Sequence, residues 1–187
     1  MSVRPTSPWT YEDYLEFPDD GRRHEIIEGE AYVTPAPNIR HQDILLWLVR
    51  RIADHLDRHG GGRVFVAPVD VVLTDTDVVQ PDIVFVADAD IATINQANVR
   101  GAPTLVVEIL SDPRHDRLRK RRLYSRCGVK EYWIVDSDAE RVEVYRLSGD
   151  KYPAPVILEP GATLATDLLG GFAVEVAALL SAARGEG

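Results

Sequence analysis

Cysteine is nearly absent from this sequence: Cys127 is the only one in 187 residues. No disulfide can form within the chain, and a zinc site built on cysteines is excluded. Such usage fits a reducing compartment. Long apolar runs are also missing, and none approaches the ~20 residues that a bilayer span needs. The first residues lack the basic-then-apolar pattern of a secretory leader, so a cytoplasmic location is expected. Positive charge is scarce: 21 Lys and Arg against 30 Asp and Glu leave a net charge of −9 and a pI near 5.0. That balance excludes a surface that coats DNA broadly, so any nucleic-acid contact must be local. There are no internal repeats and no low-complexity tracts.

What is present is an ordinary globular mix, 45% hydrophobic and 27% charged. The length suits one domain with a substantial core, expected over residues 8–182, with flexible ends at 1–7 and 184–187. Thr10 caps a short helix over Thr10–Leu15. His24–Ile27 and Ala31–Thr34 read as a hairpin turned at Glu28-Gly29-Glu30. Asn38 caps the longest helix, about Arg40–His59, whose Ile44, Leu45, Leu48, Val49, Ile52 and Leu56 recur at helical spacing. Strand-like segments follow at Val64–Leu73 and Val79–Val86, then a short helix at Ala92–Asn98 and a buried strand at Leu105–Leu110. A helix over Arg117–Cys127 ends at Gly128. Further strands are expected at Tyr132–Val135 and Val142–Leu147, and a last helix at about Val174–Ala183. This order predicts an α/β fold, a mixed sheet with helices packed on it.

The informative residues are charges inside apolar strands. Glu108 lies within Leu-Val-Val-Glu-Ile-Leu, and a lone buried carboxylate needs a cation, a proton or several donors. Asp82 opens a strand as Pro-Asp-Ile-Val-Phe-Val, and Asp70 lies in Val-Asp-Val-Val-Leu. If 64–73 and 79–86 pair about Thr76, Asp70 faces Asp82. Two carboxylates ~4 Å apart repel by roughly 4 kcal/mol at an effective dielectric of 20. A divalent cation removes that cost, and oxygen-only donors favour magnesium, manganese or calcium over zinc. Solvation at strand ends, or pairing with arginines, is the alternative for these acids, above all for Asp70. On the helix 117–127, Lys120 is the one basic residue centred on the stripe of Leu123, Tyr124 and Cys127, with Asp116 and Arg117 within about 60°. An inward lysine needs a partner, and the neighbouring strand carries Glu108; the alternative is that it snorkels to solvent. Around it lies a basic cluster of Arg114, His115, Arg117, Arg119, Arg121, Arg122 and Arg126.

Pro81-Asp82, Val107-Glu108-Ile109-Leu110 and Lys120, in that order, resemble the PD-(D/E)xK nuclease superfamily. Within it the chain is similar to the Uma-two family of restriction-endonuclease-like proteins. Residues 24–30, 40–42, 79–82, 102–110 and 128–136 carry the likeness. The superfamily's usual lysine stands two residues after the glutamate, where this chain has Leu110; Lys120 fits a lysine migrated to the next helix. The resemblance implies a restriction-endonuclease-like fold, a mixed central β-sheet flanked by α-helices. It implies a metal-dependent endonuclease in which Asp82, Glu108 and the carbonyl of Ile109 hold magnesium or manganese and Lys120 acts on the water or the phosphoryl oxygens. It also suggests accessory roles for Glu25 and His41, against which stand a solvated strand acid and a core histidine.

The expected partner is nucleic acid, with DNA favoured, met through the local basic helix by Arg117 or its exposed arginines. No membrane is involved. Trp9, Trp133 and Tyr152 are candidates for a homodimer contact, with core packing as their alternative use. Two other readings compete with the nuclease: a catalytically inactive binding or scaffold protein of the same fold, and a hydrolase of small phosphoesters. If repulsion dominates the acid cluster, removing Glu108 should raise the melting temperature of metal-free protein.

Overall fold

The computed structural model describes residues 7–34, 36–110 and 117–182. Arg114, His115, Asp116 and Ala183, and the ends expected to be flexible apart from Ser7, lie outside the described residues. The chain opens with α1 (Tyr11–Tyr14), whose Thr10 and Asp13 form a reciprocal capping box. A hairpin follows, β1 (Arg23–Ile27) and β2 (Glu30–Thr34). Its two-residue turn has positive φ at both Glu28 (55°) and Gly29 (73°), the backbone that matches strand twist. Helix α2 (Ile39–His59) starts at Asn38, which accepts from the His41 N–H, and buries His41, Ile44, Leu45, Leu48 and Ile52 along one stripe.

Then come β3 (Gly62–Val66), β4 (Val71–Thr74), β5 (Asp77–Val79) and β6 (Ile83–Ala87). The short β7 (Val99–Arg100) and β8 (Leu105–Ile109) lead into α3 (Arg117–Cys127). After it run β9 (Glu131–Asp136), β10 (Arg141–Arg146), β11 (Val156–Leu158), β12 (Thr163–Thr166), β13 (Phe172–Glu175) and α4 (Val176–Ala182).

The strands form a six-stranded sheet in the order β11-β10-β9-β8-β6-β3, a five-stranded sheet in the order β2-β1-β5-β4-β7, and the pair β12-β13. Parallel pairing of β8 with β9, joined through α3, makes the larger sheet mixed. Period-2 alternation sorts its two faces. Ile83, Phe85, Leu105, Val107, Ile109, Trp133 and Val135 pack with α2 and α4. Val84, Val86, Val106, Tyr132 and Ile134 pack with Leu123 and Tyr124 of α3. Glu108 alternates onto the α3 face. The fold is the expected mixed α/β arrangement, and among the described residues no helix is long and apolar enough to cross a membrane.

Four expectations are corrected. The segments 64–73 and 79–86 are not two continuous strands. Each breaks, near Pro68 and near Pro81, because proline cannot donate to a central ladder. The outer pieces pair as β3 with β6 and the inner as β4 with β5, with Val66 opposite Ile83 and Val71 opposite Val79. Asp70 therefore does not face Asp82. The short helix at 92–98 is instead a 3-10 turn over Asp88–Thr93. The last helix begins later than expected, because Phe172–Glu175 pairs as a strand with Thr163–Thr166. Of the candidate contact aromatics, Trp133 is in the core. Trp9 packs edge-on against Phe17, and the Tyr152 hydroxyl donates to the Val129 carbonyl.

Gly62 starts β3 under β6. A Cβ there would lie 2.3 Å from the Val86 carbonyl oxygen and 2.9 Å from the Ala87 Cα. Backbone cannot yield as a side-chain tip does, so Gly62→Ala should destabilise the fold by about 2–3 kcal/mol, measured by urea denaturation.

Candidate active site

One end of the β6–β8 pair brings the acids together. Ile83 stands opposite Val107, so Asp82 and Glu108 are neighbours one step further along. Asp82 Oδ2 accepts from the Ile109 N–H at 2.8 Å. Glu25 comes from the middle of β1 in the other sheet. Lys120, one turn into α3, inserts between the two glutamates: Nζ is 2.9 Å from Glu25 Oε1 and 2.9 Å from Glu108 Oε1. Four residues on, the Tyr124 hydroxyl donates to the same Glu108 oxygen at 2.8 Å. His41, in the first turn of α2, lies with Nε2 3.1 Å from Asp82 Oδ1, though its ring nitrogens have no aligned hydrogen-bond partner. Arg23, two residues before Glu25 and on the same strand face, donates to Asp82 Oδ1 at 2.6 Å.

All five predicted side chains, Glu25, His41, Asp82, Glu108 and Lys120, are buried, with 2 to 6% of each exposed. Together with Ile109 they line a cavity of about 30 Å³, to which Arg23, Thr34, Pro37 and Gln80 also contribute. Asp70 is brought elsewhere: it accepts from the Tyr14 hydroxyl and from Gln80 Nε2.

Electrostatics follow from these contacts. Burial pushes the Asp82 carboxyl up, but His41, Arg23 and the Ile109 N–H together outweigh it and hold the group below its ordinary value of 3.8. Burial likewise disfavours the Lys120 ammonium, yet Glu108 and Glu25 prevail and raise its pKa. Burial, then Glu108 and Glu25, drives the Tyr124 phenol well upward, which keeps it a donor. Two cations thus face three carboxylates, and this corrects the expectation for Glu108. Lys120 already lies between Glu108 and Glu25, so removing Glu108 takes away one of the two carboxylates that pair with the ammonium and is expected to lower stability rather than raise it.

The donor set is hard: carboxylates of Glu25, Asp82 and Glu108 on one cavity, no thiolate, and one negative charge in excess of Lys120 and Arg23. That chemistry fits magnesium or manganese rather than zinc. Among the described residues, however, no three His, Cys, Asp or Glu side chains stand close enough to hold a metal as they are. An ion would compete with Arg23 for Asp82.

The basic helix is largely committed to the protein itself. Arg117 pairs with Asp136 and Glu143, and Arg126 with Asp77 and Glu28. Arg119 lies over the Tyr32 ring and Arg121 over that of Tyr145. Arg122 is exposed. In the sequence alone nothing beyond spacing marks Arg23 as part of the site and nothing marks Gln80, and Tyr124 stands only on the apolar stripe beside Lys120. The available signals were spacing: Arg23 at two residues from Glu25 on a strand, and Tyr124 at four from Lys120 on a helix.

The Uma2 family model, described as "Putative restriction endonuclease", matches residues 11–178. No curated protein gives a match to the chain. A crystal structure of a "putative nuclease belonging to DUF820" from Anabaena variabilis ATCC 29413 superposes with a TM-score of 0.80. Its identity is 22%, covering 94% of this chain and 99% of that one, a likeness of fold.

Two measurements follow from the geometry. Lys120→Met leaves two glutamates buried without their cation and should cost about 3–5 kcal/mol at neutral pH, read by denaturant unfolding. Because the Asp82 pKa is lowered on folding, its contribution is present above the ordinary 3.8 and is lost as pH falls through and below that value. Asp82→Asn should therefore flatten the acid limb of a stability–pH profile relative to the parent.

Proposed function

The chain belongs to the Uma2 family, and from that premise we propose that it is a nuclease hydrolysing phosphodiester bonds, with DNA as substrate and magnesium or manganese as its ion. The observation that carries this reading is the convergence of Glu25, Asp82, Glu108 and Lys120 from two sheets and a helix onto one small cavity. Burying so many charges in one place is costly and is typical of functional sites.

Asp82, Glu108 and the main-chain carbonyl of Ile109 would hold the ion. Bound there, it would supply Lewis-acid withdrawal of electrons from the scissile phosphate. Lys120, a permanent donor, stabilises charge that builds on the phosphoryl oxygens. Tyr124 orients Glu108 by donating to it, and the Ile109 N–H orients Asp82 in the same way. His41 fixes the other side of the Asp82 carboxylate. Arg122 would contact the phosphate backbone, which positions a duplex without reading its sequence.

One observation favours a second reading. Arg23 occupies Asp82 Oδ1, as it would in a catalytically inactive member that keeps the fold for binding. Calorimetric titration separates the two, because an inactive site gives no heat with magnesium or manganese. On the nuclease reading, the parent cuts plasmid DNA with magnesium and stops with chelator, leaving nucleotide-sized phosphoesters intact. Asp82→Asn, Glu108→Gln and Lys120→Met each lower the rate by about 10²–10³-fold. Full activity in purified Lys120→Met would overturn the role of that lysine.

A further inference from the structure

Gln80 stands in the link between β5 and β6 and is held at several points. Its main-chain N–H donates to Glu25 Oε1 at 2.9 Å. Its side-chain Nε2 donates to Asp70 Oδ1 at 2.9 Å and to the Tyr14 hydroxyl at 3.1 Å. That hydroxyl in turn donates to Asp70 Oδ1 at 2.6 Å. A carboxylate only accepts, so the amide has one orientation available: Nε2 toward Asp70, Oε1 away from it. Gln80 lines the cavity, whereas Tyr14 and Asp70 do not. Oε1 is buried and has no donor among the described residues. A buried acceptor left in this state is costly and calls for a further donor, which an ordered water supplies. The cavity, about 30 Å³, has room for one water, with Glu25, Glu108 and Lys120 among its other polar walls.

We propose that Gln80 Oε1 anchors the water that attacks the phosphodiester, an inference that rests on the nuclease reading above. Tyr14 and Asp70 are positioning residues that act through the amide. Oε1 accepts one O–H of the water and, as a weak base, leaves the proton in place; its effect is to aim the oxygen lone pair. In the step the water oxygen bonds to phosphorus as the bond from phosphorus to the leaving sugar oxygen breaks. One water hydrogen ends, through solvent exchange, on the leaving oxygen. The other stays with the new phosphate until that group ionises.

The test uses the full chain, the Gln80→Leu variant and magnesium. The variant should lower kcat on plasmid by about 10- to 100-fold with KM and the magnesium binding constant unchanged, a split that a merely structural loss would not give. A crystal structure of the metal-free parent should show a water within hydrogen-bond reach of Oε1 that Gln80→Leu lacks. The parent density decides the matter even if the variant does not fold. An empty position at Oε1, an unchanged kcat, or a fall in magnesium affinity that makes Gln80 a ligand would each overturn the inference. A parent that cuts nothing overturns the nuclease reading and this role with it. A parent that cuts, beside an equally fast Gln80→Leu, overturns this inference alone.

Discussion

The Lys120 ammonium is the constraint on which the rest depends. Glu25 belongs to one sheet and Glu108 to the other, and Nζ is 2.9 Å from each. A buried carboxylate pair is tolerable only with positive charge between its members. The lysine therefore does two things at once: it ties the sheets together and sets a positive charge between the two glutamates. Tyr124 and the Ile109 N–H complete the arrangement with donors. On the proposed reading stability and chemistry share the same atoms, so substitutions in this cluster are expected to change both.

The chain's path explains how the acids reach that ammonium. The polypeptide crosses repeatedly between the two sheets, among other places from β3 to β4 near Pro68 and from β5 to β6 near Pro81. The link from β5 to β6 carries Gln80, Pro81 and Asp82. Backbone released from one ladder and not yet in the next is free to turn side chains inward, and the links are short enough to hold them there. Functional side chains concentrated where irregular backbone joins rigid sheets is a recurrent solution.

Much of this was legible in the residue order. Helix 117–127 was readable to the residue because its apolar stripe and Gly128 are local signals. Glu108, Asp82 and Lys120 stood out because each is a charge in an apolar setting. Which acid faces which was not legible. Periodicity assigns faces but not register: a shift of two or three residues takes Asp70 away from Asp82, and Glu108 reaches Asp82 from β8, on the other side of β6. Arg23 and Gln80 were hidden for another reason: their partners lie 59 and 55 residues away in sequence, and no local pattern reports such distances. The tail hairpin was missed because Phe172–Glu175 is as apolar as the helix it precedes.

The two arginine clamps at the ends of α3 have a consequence for where its lysine can sit. A lysine on a central strand is placed by the ladder itself, whereas one on a helix is only as well placed as the helix. Arg117 fastens the first turn to β9 and β10, and Arg126 fastens the last to β5 and the β1–β2 turn. Rotation by a single residue, about 100°, would swing the amine out of its pocket and unfasten both ends together. The positive charges that first suggest a polyanion surface thus serve as indexing pins, and they hold a buried amine in register although it stands off the strand.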